Sequence, residues 1–303
     1  MADLSVSVAG VKFHNPVIAA SGTFGFGREF SEFYPLSALG GISCKGITLQ
    51  ERPGNPPPRI AETPAGMLNS VGLQNPGVDH FIEKDLPWLR QQGTVIIANI
   101  AGNTPEDYCA MAEKLSDTAA DMIELNISCP NVKQGGVQFG TTCTGVEGIT
   151  AAVRKHCRKP LMVKLSPNVA DIGEIAAAAE SAGADAISMI NTLTGMRIDI
   201  RTRRPVLRNN TGGLSGPAVF PVAVRMVHQA FGRVKIPIVG MGGVSTWGDS
   251  VELMLAGAAA VQVGTALFRD PYTPQKITDG LNRYLDENGI KNVSELTGAM
   301  KEW

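Results

Sequence analysis

The sequence predicts an α/β fold, a (β/α)8 TIM barrel, and three observations carry that prediction. Short apolar, β-rich runs alternate with helix-like segments from end to end, the pattern of parallel strands joined by helical crossovers. Eight such runs can be counted. The chain has 303 residues, a length that suits one decorated barrel or two ordinary domains, and no linker or low-complexity stretch divides it. The expected organisation is therefore a single domain over 1–303. The alternative, an open doubly wound sheet, needs a glycine fingerprint after an early strand, and no convincing one stands there.

Taken in order, the strands are NPVIAAS (15–21), GISCKG (41–46), TVIIANI (94–100), MIELNIS (122–128), PLMVKL (160–165), AISMIN (186–191), IPIVGMGG (236–243) and AAVQVGT (259–265). Between strands three and four, 104–118 opens on a Thr cap, with Pro at the first helical position and acidic residues in the first turn, so it is expected to be helical. The segments 169–184, after strand five, and 245–258, before strand eight, each run to a Gly that can stop a helix. The connection 47–93 holds too much Pro and Gly for a plain crossover. It is expected as an extended loop insertion after strand two, and loops of that length are usually functional.

Composition narrows the function. Basic and acidic residues balance, 27 against 28, which gives no reason to expect nucleic acid or an anionic membrane surface as a partner. Any anionic ligand must be handled locally. The cysteines, Cys44, Cys109, Cys129, Cys143 and Cys157, are odd in number and form no C-x-x-C pair. With a start that lacks a secretory pattern, they read as reduced thiols in a cytoplasmic protein. No apolar run approaches the ~18 residues of a membrane span. The histidines His14, His80, His156 and His228 are scattered, so no metal site is expected. A P-loop and a G-x-S-x-G elbow are also lacking.

In a barrel of this kind, chemistry gathers at the C-terminal ends of the strands. The polar residues closing the apolar runs are Ser21 with Gly22, Lys45 with Gly46, Asn99, Asn126, Lys164 and Asn191. Any one of them is equally well a strand-end side chain bonded to a neighbouring loop. Six strands ending so suggest one pocket. Asn presents both donor and acceptor edges, which suits a planar heterocycle with N–H and C=O groups, and a lysine can stabilise negative charge developing on such a ring. Strands seven and eight end in glycine clusters holding Gly242, Gly243, Gly264 and Thr265, where barrels build phosphate sites. Gly212, Gly213 and Gly216 could add another edge. Simple turn geometry explains each cluster separately. Cys129, in NISCPN, is by default an apolar filler; disulfide and metal roles lack partners.

The motifs NPVIAASGTFGFGREF, CKGIT, RPGNPPPRI, GMLNSVGLQNPG, ANIAG, ELNISCPNVKQGG, VKLSPNV, INTLTGM, GGLSGPA, VGMGGV and VGTALF span nearly the whole chain. Together they resemble the dihydroorotate dehydrogenases, flavin-dependent enzymes of pyrimidine biosynthesis. Cys129 stands where class 2 enzymes have serine, and the match is nearest the class 1B catalytic subunit, on SGTFGFG and CPNVKQGG. The resemblance implies that Ser21, Gly22, Lys45, Gly46, Asn99, Asn126, Lys164, Ile190, Gly216, Gly242, Gly243, Gly264 and Thr265 surround FMN. It implies that Lys45, Asn69, Ser70, Val71, Gly72, Leu73, Asn126, Asn191 and Thr192 hold the substrate, dihydroorotate.

The implied reaction forms orotate: Cys129 takes a proton from C5 while hydride leaves C6 for N5 of the flavin. A thiol of ordinary pKa near ~8.5 suits that task if partly ionised. Pro130 restricts the loop around it without freezing it. In class 1B a partner subunit with FAD and a 2Fe–2S cluster passes electrons to NAD+, in a heterotetramer of two catalytic and two electron-transfer subunits. A class 1A homodimer would instead reduce fumarate. Outside the family, the readings are a phosphate-binding aldolase or isomerase using Lys45 or Lys164, or a scaffold barrel without catalysis. Cys143 falls outside the family pattern and is expected as a bystander in the same loop region as Cys129.

Overall fold

The computed structural model describes residues 2–128 and 137–303. Eight parallel strands close a barrel in chain order: β1 (Val17–Ala19), β2 (Gly41–Ser43), β3 (Val95–Ile100), β4 (Met122–Asn126), β5 (Leu161–Lys164), β6 (Ala186–Met189), β7 (Ile238–Met241) and β8 (Ala258–Val263). Each lies inside or overlaps a run expected from the sequence. Every residue of β4, β5, β6 and β7 is buried. Strands covered on both faces read as continuous apolar runs. Several end two or three residues short of the expected limits because the chain then turns outward to line the barrel mouth; Cys44 N donates to Ile97 O at 2.9 Å before β2 departs.

The crossovers are α1 (78–90, with a π turn at Phe81–Asp85), α2 (Pro105–Ser116), α3 (Cys143–His156), α4 (Ile172–Ser181), α5 (Phe220–Phe231) and α6 (Trp247–Leu255); α7 (Thr273–Glu287) follows β8. The expected start of α2 is present as a full capping box, Thr104 Oγ1 accepting from Asp107 N and Asp107 Oδ2 from Thr104 N. Helices α4 and α6 stop as expected, with Gly183 and Gly257 at φ +95° and +126°. Helices α3, α5 and α7 were not among the expected helical segments, although α5 and α7 carry Pro in the first turn. Cys143 is the first residue of α3, capped by Thr142, and not a loop residue as expected. Its side chain packs partly buried against the core.

The expected loop after β2 is better ordered than its composition suggests. Strands Ile60–Thr63 and Gly66–Asn69 form a hairpin and join Gly212–Ser215 and Leu193–Gly195, from the β6 to α5 connection, in a four-stranded antiparallel sheet. Its members come from chain segments about 150 residues apart, so no local pattern reveals the pairing. Gly212 and Gly213 belong to this sheet and not to a phosphate cradle. A Cβ on Gly213 would lie 2.0 Å from Thr192 Oγ1, so glycine is needed for strand packing. At the other end of the barrel, the Val6–Val8 and Val11–Phe13 hairpin sets Phe13 against Gly41.

Candidate active site

A cavity of about 400 Å3 opens at the C-terminal ends of the strands, between the barrel mouth and the four-stranded sheet. That is the size range of cofactor and substrate clefts. Of the residues singled out in the sequence, Ser21, Gly22, Lys45, Gly46, Asn126, Lys164, Ile190, Gly242, Gly243, Gly264 and Thr265 line it, and so do Asn69, Val71, Gly72, Leu73, Asn191 and Thr192. Among the described residues its charged liners are Lys45 and Lys164. Two cations with no lining carboxylate make a site for an anion.

Three expected residues stand one layer back. Asn99 is fully buried beneath Gly46, donating to Glu124 and accepting from Asn126 Nδ2 at 3.5 Å. Gly216, at φ +98°, backs Gly243, whose added Cβ would come within 2.8 Å of Gly216 O. Ser70, within the 69–73 loop, is buried and does not line the cavity, its N donating to Arg59 O at 2.7 Å. Cys129 and Pro130 lie outside the described residues.

The asparagines are aimed by bonds that begin in the helical layer. Tyr108 of α2, fully buried, donates its hydroxyl to Asn126 O at 2.9 Å. Asn126 Oδ1 accepts from Ser128 N and Oγ at 3.2 and 3.0 Å, and Ser128 Oγ in turn accepts from Asn191 Nδ2 at 2.8 Å. Asn191 Oδ1 accepts from Thr192 N at 2.8 Å. The ends of β4 and β6 are thus tied by side-chain amides across the pocket, each in one orientation. On the opposite wall, Thr265 Oγ1 donates to Ser215 Oγ at 2.8 Å, joining the turn after β8 to the added sheet.

The 69–73 loop is fixed by a residue the sequence reading passed over. Asn75 Nδ2 donates to Leu73 O at 2.7 Å and Thr48 Oγ1 at 2.8 Å, while its Oδ1 accepts from Thr48 N and Gly77 N. All four bonds are local to the barrel rim. They hold Gly72 and Leu73 in successive left-handed conformations, φ +76° and +58°. For leucine that backbone costs of order 1–2 kcal/mol, and the bonds of Asn75 offset it.

A second omission is Glu124, on β4 and fully buried. Burial pushes its carboxyl up, but the charge of Lys164 and hydrogen bonds from Ser188, Ser43 and Asn99 outweigh it and hold the group below the ordinary carboxylate value. A buried anion so saturated with donors stays ionised. The signal was legible: Glu124 is an acid in the middle of an apolar strand.

Comparison with known proteins agrees with this geometry. The family model described as dihydroorotate dehydrogenase matches residues 3–285. The chain belongs to the dihydroorotate dehydrogenase family. Similar proteins named dihydroorotate dehydrogenase B (NAD(+)), catalytic subunit, include that of Alkaliphilus oremlandii, 56% identical over 298 residues, covering 98% of this chain and 99% of the relative. That of Geotalea uraniireducens is 55% identical over 300 residues, 98% of each chain. That of Bacteroides thetaiotaomicron is 53% identical over 302 residues, 99% of this chain and 100% of the relative. In this member of the family, no group of three or more His, Cys, Asp or Glu among the described residues could hold a metal ion. No helix among them is long and apolar enough to cross a membrane.

Proposed function

We propose that this chain oxidises (S)-dihydroorotate to orotate in pyrimidine biosynthesis, as the FMN-binding catalytic subunit of a class 1B, NAD+-linked enzyme, with residues 1–303 forming one domain. The observation that carries the reading is the cavity itself: Lys45 and Lys164 as its charged liners, amides of Asn69, Asn126 and Asn191 around it, and glycine turns on one wall. FMN fits those residues. Among the described residues, a Cβ on Gly22 would stand in open space on the cavity wall, where a close-lying ring needs glycine. Gly242 and Gly243, at φ +119° and +87°, permit a turn whose backbone N–H groups can approach phosphate. Gln262 Oε1, buried at the cavity floor, has no hydrogen-bond partner among the described residues and offers an acceptor to a ligand N–H.

Ser21, Gly22, Gly46, Lys164 and Ile190 would enclose the flavin ring, with Asn99 and Gly216 supporting from behind, and Gly242, Gly243, Gly264 and Thr265 would take the phosphate. Asn69, Asn126, Asn191 and Thr192 present amide and hydroxyl groups suited to the imide edge of dihydroorotate, with Lys45 for its charge and the 69–73 loop closing over it. Bound FMN supplies the acceptor for the hydride from C6. Cys129 takes the C5 proton, leaving the C5–C6 double bond of orotate; its neighbour Ser128 is buried and held by Asn126 and Asn191. The relatives' names support a partner subunit and NAD+. We assign that partner FAD and a 2Fe–2S cluster, in a cytoplasmic heterotetramer of two catalytic and two electron-transfer subunits.

Purified protein should be yellow and release FMN on denaturation, and anaerobic stopped flow should show the flavin reduced by dihydroorotate. In Cys129→Ala we expect bound FMN, an intact fold and reduction slowed by about 100-fold or more, within the usual range for losing an acid–base group. Reduction of that variant at the wild-type rate near neutral pH would remove Cys129 from its role. A colourless protein would return the aldolase or isomerase reading, and turnover with fumarate by this chain alone would replace class 1B with class 1A.

A further inference from the structure

Beneath the cavity, the barrel interior departs from the usual filling. Interior layers of such barrels take one side chain from each alternate strand and are dominated by Val, Ile and Leu. Here β2, β4, β6 and β8 contribute Ser43, Glu124, Ser188 and Gln262, all buried. Glu124 is the centre of the layer. Its Oε2 accepts from Ser43 Oγ at 2.6 Å and from Asn99 Nδ2, and its Oε1 accepts from Ser188 Oγ at 2.6 Å and Gln262 Nε2 at 3.1 Å. The donors come from four strands and saturate both oxygens. Asn99 is locked as a donor because its Oδ1 already accepts from Asn126.

An apolar layer would fill the same space without taking a charge out of water, and replacing buried ionic groups with well-packed apolar ones is often neutral or stabilising. Stability alone is therefore a weak reason for this carboxylate. Its surroundings supply a better one. The nearby cation acting on it is Lys164, which lines the cavity above and is itself only 5% exposed. Gln262 also lines the cavity; its Nε2 is committed to Glu124, which fixes the amide's orientation, and its Oε1 has no partner among the described residues. Both floor groups facing the ligand thus answer to Glu124.

We propose that Glu124 is a positioning residue for the cofactor: its buried negative charge offsets that of Lys164 and orients the Gln262 amide, and together these lower the electron affinity of the bound flavin. The inference rests on the FMN reading above. Reduction adds negative charge to the flavin ring, which the Lys164 cation favours and the Glu124 anion opposes. With Lys164 unopposed, the flavin would hold its electrons too tightly to hand them to a low-potential acceptor such as a nicotinamide. Glu124 restores the balance while leaving Lys164 in place to bind the ring.

The test is the midpoint potential of bound FMN, measured by anaerobic dye equilibration in wild type, Glu124→Gln and Ser188→Ala. Glu124→Gln removes the charge and keeps the shape, and the reduction equilibrium should move about tenfold toward reduced flavin, a rise of about 30 mV for a two-electron couple. Ser188→Ala, which does not line the cavity, leaves the carboxylate less screened and should lower the potential. A merely structural Glu124 would lower the melting temperature of both variants and leave both potentials at the wild-type value, which overturns the proposal, as does a lowered potential in Glu124→Gln. If Glu124→Gln does not fold with FMN, Ser188→Ala decides alone: an unchanged or raised potential overturns the proposal. Wild-type protein without flavin overturns the functional reading and this one together, whereas a flavoprotein with unmoved potentials overturns this one only.

Discussion

Gly22 and Gly243 both line the cavity, and alanine at the two positions should fail in different ways. At Gly243 the backbone has φ +87°, and an added Cβ would lie 2.8 Å from Gly216 O, 2.8 Å from Phe220 Cβ and 3.0 Å from Phe220 N. The forced backbone costs about 1–3 kcal/mol, and the collisions, two of them with backbone atoms that cannot swing aside, add about 1–3 kcal/mol more. The whole is about 2–6 kcal/mol, which for a chain of this size lowers Tm by roughly 3–9 °C. At Gly22 an added Cβ meets nothing within 4 Å among the described residues, so the apoprotein should keep its stability to within about 0.5 kcal/mol. The methyl would instead occupy ligand space, and FMN affinity should fall about 10- to 100-fold, or about 1.4–2.7 kcal/mol. Calorimetry of the apoproteins and fluorescence titration with FMN separate the two effects. Equal destabilisation of both apoproteins, or undiminished FMN affinity in Gly22→Ala, would refute the reasoning.

Three further outcomes follow from the site's supports. Tyr108→Phe strips the donor from the buried Asn126 carbonyl, so we expect a loss of about 1–3 kcal/mol and a raised KM for dihydroorotate; a Tm within 1 °C of wild type would contradict it. Because the folded-state pKa of Glu124 lies below its ordinary 4.5, its ionisation contributes stability above that pH and loses it as pH falls through the depressed value. Urea midpoints of wild type should therefore fall relative to Glu124→Gln on acidification below about pH 4.5, and parallel curves would argue against an ionised group. Burial, with the charges of Asp85 and Glu124, raises the Cys44 thiol far above its ordinary value. Peptide-mapped alkylation at pH 8 should find Cys109 and Cys143 modified in the native protein and Cys44 only after unfolding; comparable native rates would contradict its placement.

The strand ends were legible because a parallel strand buried on both faces is mostly apolar, so the polar residue that closes the run marks the pocket. That rule selects Lys45, Asn126, Lys164 and Asn191, and all four line the cavity. The same rule misplaced Asn99, since it counts polar residues without telling the lining layer from the one beneath. It also skipped Glu124 and Gln262, which lie within their strands. Asn75 escaped notice because its four bonds depend on a fold of the chain between Thr48 and Gly77 that no periodicity records.

By itself, the sequence determined the eight-stranded parallel barrel, the capped start of α2 and the set of polar residues at the mouth. Each depends on neighbours a few residues apart: hydrophobic period, a cap and its box, a glycine after a helix. Only the tertiary structure decided that the inserted hairpin pairs with 212–215, which in turn pairs with 193–195, to form one wall of the cavity, that Gly212 and Gly213 serve that sheet, and that a carboxylate sits under Lys164. Those arrangements join residues as far as 144 positions apart. Hydrogen bonds and charge compensation across that separation arise from barrel closure and leave no repeat in the chain for a local reading to find.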